Sequence, residues 1–242
     1  MRVRLRFTKY GKIRFTSHRD VARMWERAFR RADLPLAYSI GFSPRPKVSF
    51  GLALPTGAES DAEYLDIELD PLRTADDFEP SGLPARLSPM LPVGIDVTAV
   101  APVESGADSL QHQITSCRWE LAVTGVTEDE LGVLITTALA ADSLVIARER
   151  KGQTSEDDVR PAIVSATPIE AVDGYPALAC VLATQPRTLR PAELLAALAG
   201  GVEEVRVRRT HQWITSRDGA PREPLPADAT DAPLAPTLER VS

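Results

Sequence analysis

His18 is the side chain whose type and position best suit acid–base chemistry. It directly follows Ser17, a predicted helix N-cap, and Arg14 and Arg19 lie close to it in the sequence. The helix dipole disfavours the cationic form of a histidine at a helix N-terminus, and a neutral imidazole can act as a general base. The alternative is a capping or solvent-exposed histidine, so both interpretations stay open.

Phosphate binding is the second chemistry that the sequence favours, because cations are concentrated near the N-terminus. Residues 1–50 carry 13 Lys or Arg and three acids, a balance of +10. The whole chain has a net charge of −6, so the other 192 residues hold −16. Such asymmetry is typical of a protein with a polyanionic partner. Alternatively, the basic segment packs beside the acidic stretch 59–79.

Two predicted elements would present these cations. Arginines alternate with apolar residues over 2–8, so a strand there would bury Val3, Leu5 and Phe7 and expose its arginines on the opposite face. The loop from Gly41 to Lys47 holds two prolines and two cations, and it either clamps phosphates or is an ordinary connection. The predicted phosphate-binding residues are Arg2, Arg4, Arg6, Arg14, Ser17, His18, Arg45 and Lys47.

The first 100 residues predict the element order β-α-β-β-α-β. After strand 2–8 and a short extended piece around Ile13 and Phe15, apolar residues at helical spacing predict a helix over about 18–32 with an arginine-rich outer face. Strands over about 47–52, 63–69 and 94–100 and a weaker helix from Thr74 complete the set. This is the ferredoxin-like arrangement, in which two helices cover one face of an antiparallel sheet and leave the other open.

A similar order follows in the second half of the chain. Strand 115–124 precedes a helix capped by Thr127 with Glu130, and a later helix begins at Pro191 and ends at Gly200. We therefore predict an α+β protein with tandem ferredoxin-like halves. Its predicted parts are an N-terminal half over 1–102, a linker over 103–113, a C-terminal half over 114–214 and a disordered tail over 215–242. The remaining strands are predicted over about 144–150, 158–170, 176–184 and 204–214.

Several classes of protein are excluded or disfavoured. No apolar run reaches the roughly 18 residues that a membrane-spanning helix needs, so we expect a cytoplasmic protein without a membrane partner. Cys117 and Cys180 are too few for a disulfide scaffold, a four-cysteine zinc site or a three-cysteine iron–sulfur site. Asp158 and Arg160 lie in a predicted bend, where a salt bridge within the bend is the simplest role.

Four segments together resemble a known family. They resemble the uncharacterised radical SAM-linked, or radical SAM-associated, protein family. The segments are RLRFTKYGKIRFTSHRD (4–20), RAFRRADLP (27–35), YSIGFSPRPK (38–47) and LPTGAESDAEYLD (54–66). DVRP (158–161) and RRTH (208–211) resemble its later motifs. The resemblance adds Tyr38, Glu63, Asp158 and Arg160 as candidate motif or partner-binding residues.

The resemblance implies an accessory protein, because members of that family are fused to a radical SAM enzyme or encoded beside one. This chain has no CxxxCxxC motif, so the iron–sulfur cluster and SAM are expected only in the partner enzyme. No metal or cofactor is expected in this chain.

Three functions stay open at this stage. The first is an RNA-binding or substrate-presenting partner, for tRNA or rRNA modification by a radical SAM enzyme. The second is a module that docks an acidic protein partner through its basic face. The third is a metal-independent endoribonuclease with His18 as general base and Lys47 or Arg45 stabilising the phosphorane.

Overall fold

The computed structural model describes residues 1–75, 78–104, 106–150, 152–198, 201–216, 219–226 and 229–231. The protein is a mixed α+β chain that divides into two compact units. The first unit combines Met1–Ile114 with Thr215–Ser242, and the second unit is Thr115–Ile214. The C-terminal segment therefore belongs with the N-terminal unit.

Strands outnumber helices in the described part of the chain. The helices are α1 (His18–Arg31), α2 (Leu83–Leu87), α3 (Leu110–Gln113), α4 (Glu128–Ala140) and α5 (Pro191–Leu198). The strands are β1 (Arg2–Lys9), β2 (Val48–Phe50), β3 (Glu59–Glu68), β4 (Val97–Val103), β5 (Ile114–Thr124), β6 (Val145–Arg150), β7 (Gln153–Asp158), β8 (Ile163–Val172), β9 (Tyr175–Ala183), β10 (Glu203–Thr215), β11 (Pro221–Arg222) and β12 (Thr230–Asp231).

In the first unit, β1 lies between β4 and β3, and β2 pairs with the other edge of β3. This pairing gives the order β4-β1-β3-β2, and all the pairs are antiparallel. β12 pairs, also antiparallel, with the free edge of β4. The alternation in β1 sends Val3, Leu5 and Phe7 into the core, as predicted.

Helix α1 covers this apolar face. Ser17 caps its N-terminus by accepting a hydrogen bond from the Asp20 backbone N–H, and the buried side chains recur at helical spacing. Trp25 contacts Phe7 edge-to-face with ring centroids 4.9 Å apart, and Phe29 lies 5.3 Å from Trp25. The predicted helix over 18–32 is confirmed within one residue at its C-terminus.

The second unit contains a four-stranded sheet in the order β10-β5-β9-β8 and a separate hairpin of β6 and β7. Helix α4 begins with a complete capping box formed by Thr127 and Glu130. The core of the unit includes Leu121, Leu131 and Leu178, which are almost fully buried.

Several predicted elements differ from the structure. Ile13 and Phe15 lie in a 3-10 helix, Gly11–Phe15, and not in an extended piece. The weaker helix does not begin at Thr74: a 3-10 turn at Pro80–Gly82 leads into α2, where Pro84 occupies a first-turn position that needs no amide hydrogen bond. Residues 76–77 lie outside the described residues.

Three other boundaries also differ. The predicted linker over 103–113 contains the end of β4 and all of α3. The predicted strand 158–170 is interrupted by a 3-10 turn at Arg160–Ala162, where Pro161 has no amide hydrogen for strand pairing. In the predicted disordered tail, residues 219–226 and 229–231 contain β11 and β12, whereas 217–218, 227–228 and 232–242 lie outside the described residues.

No helix among the described residues is long and apolar enough to cross a membrane.

Candidate functional site

Arg4 is buried inside the first unit. Its side chain is 3% exposed and forms a bidentate ion pair with Asp66, with Nε 2.7 Å from Oδ1 and Nη2 3.0 Å from Oδ2. Its Nη1 also donates to Gln113 Oε1 at 3.1 Å and to the Pro224 carbonyl at 3.0 Å. These partners occupy the guanidinium, so Arg4 is not available to a phosphate.

Arg2 and Arg6 are engaged on the same face of β1. Arg2 donates to the Ala107 carbonyl at 3.1 Å, and Arg6 forms an ion pair with Glu223 at 2.9 Å. Residues 107–113 and 223–224 therefore cover the face that the sequence predicted to be open. The prediction that Arg2, Arg4 and Arg6 lie on an open sheet face is wrong, because the alternation in β1 does not reveal which later segments lie on its polar side.

Arg14 and Ser17 have roles that the local structure explains. Arg14 lies 3.2 Å from the buried Glu59 carboxylate and over the ring of Phe15. Ser17 donates to the Asp20 carboxylate at 2.7 Å, and this hydrogen bond is the main cause of the lowered pKa of Asp20. Ser17 therefore stabilises the start of α1, whereas Arg14 links the 3-10 helix Gly11–Phe15 to β3.

His18 is exposed at the mouth of a small cavity of about 20 Å³. Its ring contacts Phe50 edge-to-face at 5.2 Å, and Lys9, Glu63 and Tyr64 also line the cavity. A space of this size holds about one water molecule. Within the described part of the chain no hydrogen bond to the His18 ring is present, so this arrangement lacks the orienting partner that a catalytic base usually has.

The polar residues that line this cavity are themselves held by the fold. Lys9 is buried, and its Nζ donates to the carbonyls of Arg14 at 3.3 Å and Thr16 at 3.1 Å. Glu63 is 8% exposed. Burial raises the pKa of Tyr64 above its usual range, and the negative charge of Glu223 acts in the same direction.

The loop that contains Tyr38, Arg45 and Lys47 is a small hydrogen-bonded hairpin. The Ser39 amide donates to the Arg45 carbonyl at 2.9 Å, and the Lys47 amide donates to the Ala37 carbonyl at 2.8 Å. Lys47 forms an exposed ion pair with Glu68 at 2.7 Å, whereas the Arg45 side chain is exposed.

Sequence reasoning missed the apolar tip of this hairpin. Ile40 and Phe42 are fully exposed, and Tyr38 is 46% exposed. The signal was present in the sequence, since two large apolar residues stand within a turn-rich stretch of Ser, Gly and Pro that cannot bury them.

Among the described residues, α1 carries a set of exposed cations on its outer face. We call the five exposed arginines on its outer face the basic stripe: Arg19, Arg23, Arg27, Arg30 and Arg31. Arg23 lies 3.2 Å from Asp20 in an exposed pair. Within the described residues the other four form no ion pair. The sequence predicted this stripe, but the β1 arginines had been expected to provide the main phosphate contacts.

Asp158 and Arg160 form a structural bend in the second unit. Asp158 accepts hydrogen bonds from the amides of Leu144 at 2.8 Å and Arg160 at 3.0 Å, and these bonds lower the pKa of Asp158. The Arg160 guanidinium donates to the carbonyls of Leu139 at 2.8 Å and Ile163 at 3.2 Å. Both side chains are therefore used to join the ends of α4, β7 and β8.

The cysteines lie in the core of the second unit. Cys117 and Cys180 are both buried thiols, and burial raises the pKa of Cys180 to about 12. In the ranges that the structure describes, no group of three or more His, Cys, Asp or Glu side chains is arranged to hold a metal ion.

Comparison with known proteins gives one family match and a distant structural likeness. Residues 2–191 match the family model described as "Uncharacterized protein conserved in bacteria (DUF2344)". No curated protein matches the sequence. Among solved structures, the chain is similar to one in "Crystal Structure of a Cbf5-Nop10-Gar1 Complex", with 10% identity and a TM-score of 0.45. The likeness covers 87% of this chain and 48% of the chain in that complex. This protein therefore spans about half the length of the chain that it resembles.

Proposed function

This chain belongs to the family of uncharacterised bacterial proteins DUF2344, and we propose that it is a cytoplasmic accessory protein that binds tRNA or rRNA for a radical SAM modification enzyme. The basic stripe of α1 is the observation that carries the RNA-binding part of the proposal. Four of its five arginines have no ion-pair partner in the described part of the chain. Solvated cations of this kind bind phosphates without reading the sequence of bases.

The spacing of the basic stripe suits a polyanionic backbone. Residues four apart on a helix advance about 6 Å along its axis, so Arg19, Arg23 and Arg27 stand at even intervals on one side. The stripe from Arg19 to Arg31 extends over about 18 Å. A strand of RNA has one phosphate per nucleotide, and several phosphates can therefore be bound together by one face of α1.

We further propose that each unit has a ferredoxin-like arrangement. The order β4-β1-β3-β2 in the first unit and β10-β5-β9-β8 in the second support this proposal, because each places the first strand between the fourth and the third. In the second unit the β6–β7 hairpin would be an insertion. RNA-binding modules of this fold use the open sheet face, whereas here the proposed surface is the outer face of a helix.

The radical SAM part of the proposal rests on the sequence resemblance alone. The partner enzyme would supply both the iron–sulfur cluster and SAM. The role of this chain would be to hold the RNA substrate near that enzyme.

The RNA-binding proposal is tested by removing three charges from the basic stripe. Fluorescence anisotropy would compare the wild-type chain with the triple variant Arg19→Gln, Arg27→Gln, Arg30→Gln, using labelled tRNA and rRNA fragments at about 50 mM salt. We expect the variant to bind at least about tenfold more weakly, because up to three phosphate contacts are lost.

A matched control removes the same net charge elsewhere. Arg73, Arg118 and Arg222 are exposed and lie outside α1, so Arg73→Gln, Arg118→Gln, Arg222→Gln should change the affinity by less than about threefold. Equal losses in the two triple variants would contradict a site on α1. Absence of salt-dependent RNA binding by the wild-type chain would exclude the function itself.

A second candidate function, docking to a protein partner, is favoured by the hairpin tip. Ile40 and Phe42 expose two large apolar side chains on a hydrogen-bonded support, which is typical of an element that inserts into an apolar pocket. The double variant Ile40→Asp, Phe42→Asp should abolish nuclease-resistant copurification with the proposed partner, a radical SAM enzyme produced in the same cells. If docking is the function, this variant loses the enzyme and retains its affinity for RNA.

A further inference from the structure

A cleft of about 800 Å³ opens within the second unit between β6 and α5. Arg148, Arg187 and Arg190 lie on its walls together with the apolar side chains of Val145, Ala192 and Ala196. The volume lies within the range of sites that hold small organic ligands. Neither the basic stripe nor the hairpin tip contributes to this cleft.

Arg148 forms a fixed cationic wall of the cleft. Its side chain is 7% exposed, with Nη1 2.8 Å from Asp157 Oδ2 and Nε 2.9 Å from Glu193 Oε1. Two carboxylates from β7 and α5 thus hold this guanidinium in place. A cation that is held in this way loses little further freedom when a ligand binds.

The positive charge of the cleft exceeds its negative charge. Arg187 Nη1 is also 2.8 Å from Asp157 Oδ2, so one carboxylate oxygen serves two guanidinium groups. Glu193 accepts a hydrogen bond from the Arg190 backbone amide at 2.9 Å, but no ion pair to the Arg190 guanidinium is present among the described residues. Three arginines therefore face two carboxylates, which leaves one positive charge uncompensated.

We propose that this cleft binds a phosphate ester of about mononucleotide size. Arg187 and Arg190 would bind the phosphate, and the apolar wall of Val145, Ala192 and Ala196 would contact the organic part. A phosphate group offers three terminal oxygens to two guanidinium forks, whereas a carboxylate offers only two oxygens. The ligand is either a free nucleotide or a terminal nucleotide of RNA, since both present this chemistry.

Calorimetric titration of the full chain tests the proposal with three probes: AMP, inorganic phosphate and adenosine. We expect AMP to bind more tightly than phosphate, and adenosine not to bind, since both the anion and the organic part contribute. Arg190→Gln should weaken AMP binding at least about tenfold, because a charge-assisted contact is lost. Arg190 has an exposed side chain that forms no ion pair with the described residues, so this variant should fold normally.

Arg206→Gln is the matched control, because Arg206 is a partly exposed cation of the same unit that pairs with Asp173 outside the cleft. It should leave AMP binding within about twofold of wild type. The basic-stripe triple variant should also keep AMP binding, which separates this inference from the proposed function. In that variant, a 5′-phosphorylated RNA oligonucleotide that binds better than its 5′-hydroxyl form would identify RNA as a source of the ligand.

Three results would overturn the inference. The first is a failure of AMP to bind at millimolar concentration, the second is binding of phosphate as tight as that of AMP, and the third is an unchanged affinity for AMP in Arg190→Gln.

Discussion

Arg4 and Asp66 stand directly opposite each other on β1 and β3, and their side chains form a bidentate ion pair in which both are less than 5% exposed. This pair shows where much of the N-terminal positive charge is used. Arg4 pairs with Asp66, Arg14 with Glu59 and Lys47 with Glu68. All three acids lie in the acidic stretch 59–79. The balance of +10 in the first 50 residues thus overstates the charge that is available to a polyanion.

Removing one partner of this buried ion pair should cost more stability than replacing both partners with apolar side chains. Arg4→Gln removes the bidentate partner of the buried Asp66 carboxylate and leaves only Arg2, whose Nε is 3.6 Å from Asp66 Oδ2. We therefore expect the free energy of unfolding to fall by about 3 kcal/mol, the lower end of the range for a broken buried pair. Lys47→Gln breaks a pair that is nearly half exposed, and its cost should be below about 1 kcal/mol. Urea denaturation of the wild type and the two variants gives both values.

The double variant Arg4→Met, Asp66→Leu provides a check on this explanation. Replacing both charges with apolar side chains removes the buried carboxylate that Arg4→Gln leaves with only the longer contact to Arg2, and it should recover much of the stability that Arg4→Gln loses. A cost below about 1 kcal/mol for Arg4→Gln would show that the carboxylate finds another partner.

Local sequence patterns predicted β1 and α1 of the first unit well, but they did not predict which segments cover the polar face of β1. The alternation around Leu5 and the helical spacing around Trp25 identified β1, α1 and the faces that they bury. Glu223 and Pro224 lie more than 200 residues from the arginines that they contact, and no local pattern reports such a contact. For this reason the sequence could not show that the polar face of β1 is covered, whereas the stripe on α1 could be predicted from one helix.

The cleft of the second unit could not be predicted for the same reason. Arg148 lies on a strand, and Arg187 and Arg190 lie in a loop about 40 residues later in the sequence. The two segments meet because β6, β7 and α5 are joined by the carboxylates of Asp157 and Glu193. In the sequence these arginines are isolated cations without a motif.

The salt dependence of RNA binding should report the number of phosphates that the basic stripe contacts. For single-stranded RNA, each contact adds about 0.7 to the slope of log affinity against log salt concentration. The triple variant Arg19→Gln, Arg27→Gln, Arg30→Gln should therefore lower the slope by about 2. Anisotropy titrations between about 50 and 200 mM salt measure this change. A weaker affinity with an unchanged slope would indicate that the substitutions disturb the fold and not phosphate contacts.

The capping box of α4 should make stability depend on pH in the acidic range. Hydrogen bonds from Thr127, above all from its backbone amide, hold the pKa of Glu130 below its usual range. A carboxyl with a lowered folded-state pKa stabilises the fold above its ordinary pKa of 4.5, and this contribution is lost as the pH falls through the folded-state value. The stability difference between wild type and Glu130→Gln should therefore be constant near neutral pH and shrink below about pH 4.5.

Glu128→Gln is the control for this prediction. Glu128 lies in the same first turn but is not the carboxylate of the capping box. Its substitution removes the same charge, so the part of the pH effect due to the helix dipole appears in both variants. Denaturant titrations over a pH series would have to give a larger effect for Glu130→Gln, and equal effects would contradict the capping explanation.

Gly94 should tolerate no side chain, because it fixes the segment that leads to α1. Its φ is +94°, its carbonyl accepts a hydrogen bond from the Tyr10 amide at 2.8 Å, and an added Cβ would collide with the Tyr10 carbonyl and lie 3.1 Å from Ile13. Gly94→Ala therefore combines backbone strain with overpacking, for a loss of about 4 kcal/mol in the free energy of unfolding.

Gly106 provides the control. It has a similar φ of +81° with no atom within 4 Å of an added Cβ, so Gly106→Ala should cost only about 1–2 kcal/mol. Because the two variants share the strain and differ in the collision, equal losses in urea denaturation would mean that the contact with Tyr10 relaxes freely.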